Sequence, residues 1–217
     1  MNYFAHGYRY RDQPYFLAGT AVPDWLNVVD RQVRVRRKAA LPYVEDCDPQ
    51  LAQLARGVVQ HHDDDAWFHA LPTFNELNFR FTKELGEVVP ALPGIQRHFL
   101  GHILVELLLD AELIAQFPQR LEEYYHVVAG LDARMIETAL QRMSGKSLEG
   151  FHRWIDRFVE ERFLADYADD ERLLLRLNQV MRRVRLDPIP VEIIPWFASA
   201  RETVAAHREQ LLPPEPA

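Results

Sequence analysis

The stretch Arg97-His98-Phe99-Leu100-Gly101-His102-Ile103-Leu104-Val105-Glu106-Leu107-Leu108-Leu109-Asp110 is the most informative part of the chain. Ionisable residues recur at every fourth position, His98, His102, Glu106 and Asp110, and almost everything between them is Phe, Leu, Ile or Val. This spacing is helical. Residues four apart are neighbours on a helix face, so adjacent members can share a ligand. Four residues overshoot one turn of about 3.6, so the stripe drifts by roughly 40° per step and one ion can take two adjacent members, not all four. A helix this apolar is buried on several sides. An ionised Glu106 or Asp110 is costly there unless a charge or a metal pairs with it. Gly101, beside His102, lets a neighbouring backbone come close. The plainer reading is a polar face with two satisfied histidines and a carboxylate bonded to Arg97 or another cation. Four aligned members in an otherwise apolar helix favour a functional site instead.

A second ladder precedes it, in Gly57-Val58-Val59-Gln60-His61-His62-Asp63-Asp64-Asp65-Ala66-Trp67-Phe68-His69. His61, Asp65 and His69 share a face at i, i+4 and i+8, whereas His62, Asp63 and Asp64 point elsewhere and read as a solvated acidic surface. A His-x-x-x-Asp step brings a neutral imidazole and a carboxylate onto one divalent ion. Helical bundles build metal sites from side chains on facing helices, and two ladders packed antiparallel across an intervening helix fit that plan. His6 and Asp24 are weaker candidates, readable singly as a core histidine and a helix N-cap after Pro23. The run Arg31-Gln32-Val33-Arg34-Val35-Arg36-Arg37-Lys38 is a local anion-attracting patch in an acidic protein.

Outward from these segments the periodicity predicts helices over 14–30, continuous or broken at Pro23, then 49–70, 73–88, 93–116, 119–129, 131–142, 147–167, 169–186 and 197–211. Asp48-Pro49 fits an N-cap followed by Pro at the first helical position. The helix from Ser147 carries Phe151, Trp154, Ile155, Phe158 and Val159 on one face. Strand-like alternation is confined to Val33-Arg34-Val35. No repeat or linker is evident. The expected fold is therefore all-α, a single helical domain over 1–212. The candidate site falls within 1–112, packing helices within 113–212, and a disordered tail over 213–217.

Composition agrees. The chain has 217 residues, 48% of them hydrophobic and 26% charged, which suits a globular protein with a useful core. One cysteine, Cys47, excludes an internal disulfide framework and a multi-thiolate zinc site. Nine histidines leave imidazole and carboxylate as the available metal ligands. A net charge of -7 argues against a general nucleic-acid binder. The opening lacks a basic segment followed by an apolar stretch, which predicts a cytoplasmic protein, and no run reaches the roughly 20 residues of a membrane span.

The order of Met1-Asn2-x-x-Ala5-His6, Leu17-x-Gly19-x-x-x-x-Asp24, Gly57-Val58-x-x-His61-x-x-x-Asp65 and Val105-Glu106-x-x-x-Asp110 resembles the bacterial acyl-carrier-protein phosphodiesterases, which look like rearranged relatives of the HD-domain metal phosphohydrolases. The resemblance covers the first half of the chain. It departs from the family where His61-His62-Asp63-Asp64-Asp65 replaces His-Arg-x-x-Asp, and where Leu109-Asp110-Ala111 replaces Tyr-Asp-His. The zinc-dependent phospholipase C and P1 nuclease pattern is a more distant likeness, through His6, Asp24, His61 with Asp65, His69, and His102 with Glu106.

These likenesses imply an HD-like helical bundle that hydrolyses a phosphodiester. One or two divalent ions (Mn, Fe or Zn) would be held by His61, Asp65, His102 and Glu106, with His6, Asp24, His69 and Asp110 as further ligands or supporting groups. Asp24 or Asp110 would orient the attacking water or act as base. Arg31, Arg34, Arg36, Arg37 and Lys38 would dock an acidic partner, an acyl carrier protein on the first likeness. The competing expectation is a non-catalytic helical protein that buries its ladder as a hydrogen-bonded network.

Overall fold

Proline opens most of the long helices. In the computed structural model, which describes residues 1–213, Pro14, Pro49, Pro72 and Pro118 are each the first residue of a helix and Pro195 lies in the first turn of another. A missing N–H costs nothing there, and the fixed φ suits the helix. The helices are α1 (Tyr3–Gly7), α2 (Pro14–Val29), α3 (Arg37–Ala40), α4 (Pro49–Ala70), α5 (Pro72–Val88), α6 (Gly94–Gln116), α7 (Pro118–Ala129), α8 (Ala133–Ser144), α9 (Phe151–Glu161), α10 (Asp170–Val184) and α11 (Ile194–Leu211), with short 3₁₀ turns between some of them. There is no strand among the described residues. None of the described helices is long and apolar enough to cross a membrane. The all-α expectation holds. Residues 214–217 of the expected tail lie outside the described residues.

The long helices lie close to where periodicity puts them. Asp48 caps α4 as expected, its Oδ1 accepting from the amides of Gln50 and Leu51 at 2.9 and 3.3 Å. The structure decides three local points. The helix expected over 147–167 is shorter, because Gly150 (φ 85°) precedes it and Arg162 (φ 47°) ends it in the left-handed region, after which Phe163–Ala168 continues as a 3₁₀ turn. Pro23 does not break α2, although it costs the helix the bond to the Gly19 carbonyl. Asp24 therefore sits inside α2 and is not its N-cap. The pieces α1 and α3 are too short to show a period.

The chain forms two compact units, each assembled from separated segments. One comprises Asn2–Ala66 and Phe117–Arg162. The other comprises Met1, Trp67–Gln116 and the chain from Phe163 onward. The division falls within α4, between Ala66 and Trp67, so no composition shift marks it.

The first unit has an aromatic core. The Phe158 ring meets Trp25 at 5.4 Å, Tyr3 at 5.6 Å and Tyr125 at 5.4 Å. Of the face expected on α9, Phe151, Ile155 and Phe158 are buried, whereas Trp154 and Val159 are half-buried. Helices α2 and α4 touch through glycine. A Cβ on Gly57 would sit 2.8 Å from Gly19 Cα and collide with the Phe16 carbonyl, and one on Gly19 would collide with the Leu54 carbonyl. Glu137 of α8 fastens the start of α9, accepting from the His152 amide and from its ring Nδ1, each at 2.8 Å. Burial pushes the Glu137 carboxyl upward in pKa, and the bonds from His152 outweigh it and hold it below the ordinary value.

In the second unit α6 is enclosed. Residues 104–111 are all buried, and eight successive residues at about 100° each go round the whole helix, so it is covered on every side there. Gly101 admits α5, since a Cβ there would lie 2.9 Å from Asn78 Oδ1 and 3.0 Å from the Asn78 carbonyl. Phe81 of α5 packs edge-on against Trp196 of α11 at 5.2 Å, and the Trp196 indole donates to Glu84 at 2.9 Å.

Two outcomes follow. Gly57→Ala gains helix propensity of about 1 kcal/mol but forces backbone against backbone, and urea denaturation will show a net loss of about 2–3 kcal/mol. Because the folded-state pKa of Glu137 is lowered, its contribution is present above the unfolded value of about 4.3 and is lost as pH falls through the folded value. The stability gap between the wild type and Glu137→Gln should therefore close on acidification. A gap independent of pH contradicts the charge-assisted bond.

Candidate metal centre

Among the described residues, two groups of three ligand-bearing side chains converge, one in each unit. The first is His6, His61 and Asp65, and its ligand atoms all lie within 4.8 Å of one another. Helix α1 supplies His6, which is 1% exposed, and α4 supplies His61 and Asp65 one turn apart. The two imidazoles stack with centroids 4.1 Å apart. His61 Nδ1 lies 2.8 Å from the backbone carbonyl of Thr20. A carbonyl only accepts, so this nitrogen carries the proton, and a neutral ring then has its lone pair on Nε2. His6 Nδ1 is engaged in the same way with Asp64 Oδ2 at 3.2 Å, and Gln60 steadies that carboxylate by donating to Oδ1 at 2.7 Å.

The Nε2 atoms of both rings are thereby turned toward Asp65, His6 at 3.2 Å from Oδ1 and His61 at 3.4 Å from Oδ2. His6 Nε2 is buried and makes no well-formed hydrogen bond. Burial pushes the Asp65 carboxyl upward in pKa, but its contacts with His6 and His61 prevail and hold it far below the usual range. The trio is thus an ionised carboxylate facing two imidazoles whose outer nitrogens are already committed. That is how protein groups arrange ligating histidines, with a second partner on each ring fixing tautomer and orientation.

The second group is His69 of α4 with His102 and Glu106 of α6. His69 Nε2 at 2.9 Å, His102 Nε2 at 3.3 Å and the Met1 amino group at 3.4 Å all approach Glu106 Oε1. Phe74 walls the two imidazoles, its ring 5.0 Å from His69 and 4.9 Å from His102. Burial raises the Glu106 pKa, and the amino group and the two histidines together pull it well below the ordinary glutamate value. The stripe on α6 grades inward along the helix. His98 is exposed, His102 half-buried, and Glu106 and Asp110 are buried.

Of the expected ligands, the structure therefore brings together His6 with His61 and Asp65, and His69 with His102 and Glu106. His69 shares a helix with His61 and Asp65 but belongs to the other trio. Asp24, half-buried in α2, and Asp110, fully buried in α6, are outside both trios. The basic residues Arg31, Arg34, Arg36, Arg37 and Lys38 are all exposed. Arg37 is engaged with Asp63 through two contacts of 2.6 and 3.4 Å.

The residues set aside as a solvated face are in fact used. Asp64 orients His6, Asp63 holds Arg37, and the half-buried His62 places Nε2 3.0 Å from the Val35 carbonyl. Burial lowers the His62 pKa, against the bond to Val35. A signal was available, because five consecutive polar residues at about 100° each go round the whole helix and cannot share one solvated side. The Thr20 carbonyl carried no side-chain signal at all. Comparison with models of protein families, with curated proteins and with solved structures finds no match to this chain.

The hydrogen bonds assign opposite tautomers to adjacent histidines, Nδ1–H for His61 and Nε2–H for His62. Long-range ¹H–¹⁵N correlation spectra of the metal-free protein should show this pair. The reverse tautomer at His61 removes the basis for a ligating Nε2.

Proposed function

We propose that the protein is a metal-dependent phosphohydrolase that cleaves a phosphodiester, built on an HD-domain-like helical plan and acting on an acyl carrier protein. The observation that carries this reading is the double commitment of Nδ1 in the first trio, His6 to Asp64 and His61 to the Thr20 carbonyl. With it, two Nε2 atoms converge on Asp65, one of them buried without a hydrogen bond. A divalent cation satisfies all of them together. Two imidazoles and one carboxylate in each trio suit Zn, Mn or Fe(II) better than Mg or Ca, which favour all-oxygen sets.

The ion, when bound, supplies an activated water near neutral pH and offsets charge on the phosphoryl oxygens. The chain's own residues do the rest. His6, His61 and Asp65 hold one ion, and His69, His102 and Glu106 hold a second. Asp64 and the Thr20 carbonyl keep the first two rings in register and raise their basicity. Asp24, which is outside both trios, would orient the attacking water and take its proton.

Metal analysis of protein purified without chelator should find Mn, Fe or Zn. His61→Ala combined with His102→Ala should remove it and abolish hydrolysis of bis(p-nitrophenyl) phosphate. Release of the phosphopantetheine arm from holo acyl carrier protein tests the substrate. A protein that carries no metal, whose melting ignores chelator and added Mn, Fe or Zn, and that leaves the diester intact is the non-catalytic alternative.

A further inference from the structure

Beside the first trio lies a cavity of about 220 Å³. His61 and Asp65 line it, Pro23 and Leu26 form an apolar wall, and Arg34 and Arg36 are among the other lining residues. Their presence there has a local cause. The chain from 33 to 36 runs extended between helices, with Val33 and Val35 each only 2% exposed. Alternation then turns Arg34 and Arg36 to the other side. His62 secures this segment by donating to the Val35 carbonyl at 3.0 Å. Arg37 is taken by Asp63 at 2.6 Å, whereas neither Arg34 nor Arg36 has a carboxylate partner among the described residues.

We propose that this cavity is a phosphate subsite, in which Arg34 and Arg36 grip the non-bridging oxygens of a phosphate ester beside His61 and Asp65. The proposal rests on the phosphohydrolase reading and names the part of the substrate that the site recognises. Planar guanidinium groups match phosphate oxygens in pairs, and neither of these two is paired with a carboxylate among the described residues. At about 220 Å³ the cavity falls below the range of roughly 300–1,000 Å³ usual for whole small ligands. It takes a phosphoryl group and its first substituent and leaves the remainder of the substrate outside. The basic run is accordingly not one docking surface. Arg34 and Arg36 are substrate-binding residues, and Arg37 braces α4.

The test compares two double variants with equal charge change, Arg34→Gln/Arg36→Gln inside the cavity and Arg31→Gln/Lys38→Gln outside it. All four positions are exposed, so both variants should melt like the wild type. Inorganic phosphate binding is measured by calorimetry on the protein as purified and again after chelation, and kinetics are taken with bis(p-nitrophenyl) phosphate. The cavity variant should weaken phosphate binding and raise KM by roughly tenfold or more, with bound metal per chain unchanged. The outer variant should change either by less than about twofold. Equal effects of the two variants, or none from the cavity pair, overturn the subsite. Failure of the enzymatic reading looks different. There the wild type holds no metal and cleaves nothing, while phosphate binding in the chelated protein still reports on Arg34 and Arg36.

Discussion

Helices α2 and α4 meet backbone to backbone at Gly19 and Gly57, and the first trio depends on that contact. Any side chain at either position would separate the helices by the width of a methyl group. One turn along α4 from Gly57 is His61, and the residue after Gly19 is Thr20, whose carbonyl receives His61 Nδ1 at 2.8 Å. A carbonyl inside a helix gives one lone pair to its own ladder, and its second is open to a side chain brought close to the backbone. The glycine crossing provides that approach. It also costs stability, because two helix-interior glycines are each disfavoured by about 1 kcal/mol against alanine. Tight packing of the surrounding aromatic core offsets it.

From that contact the polar run of α4 is used on all sides. His61 and Asp65 face His6. Asp64 reaches behind His6, His62 takes the extended segment at Val35, and Asp63 takes Arg37. These contacts join α4 to α1, to the extended segment at Val35 and to α3, all within the same unit. Short segments such as α1 and α3 have no period of their own and are placed by such side-chain contacts rather than by propensity.

The second unit reaches a similar ligand set by another route. There the helix α6 is enclosed, and Glu106 is stabilised in its charged form only because three nitrogens converge on one of its oxygens. Such a group is expensive to bury alone. The apolar walls of Phe74 and the leucines strengthen each of those interactions by excluding water.

Periodicity, proline positions and capping residues determined the all-α class and the long helices, since those signals are local and repeat every turn. The i, i+4 spacing likewise determined His61 with Asp65 and His102 with Glu106 as pairs, because a helix alone brings them together. What only the tertiary structure decided is which third residue completes each pair. His6 comes from a helix too short to be read in advance, and His69 joins α6 although its spacing places it on the face of His61 and Asp65. The Thr20 carbonyl and the place of Arg34 and Arg36 were also invisible in the chain, and the polar run 61–65 showed that Asp64 is used without showing by what. The reason is physical: a neighbour across helices is set by where two backbones can touch, and for the first trio that is fixed by packing at Gly19 and Gly57, not by spacing along one helix.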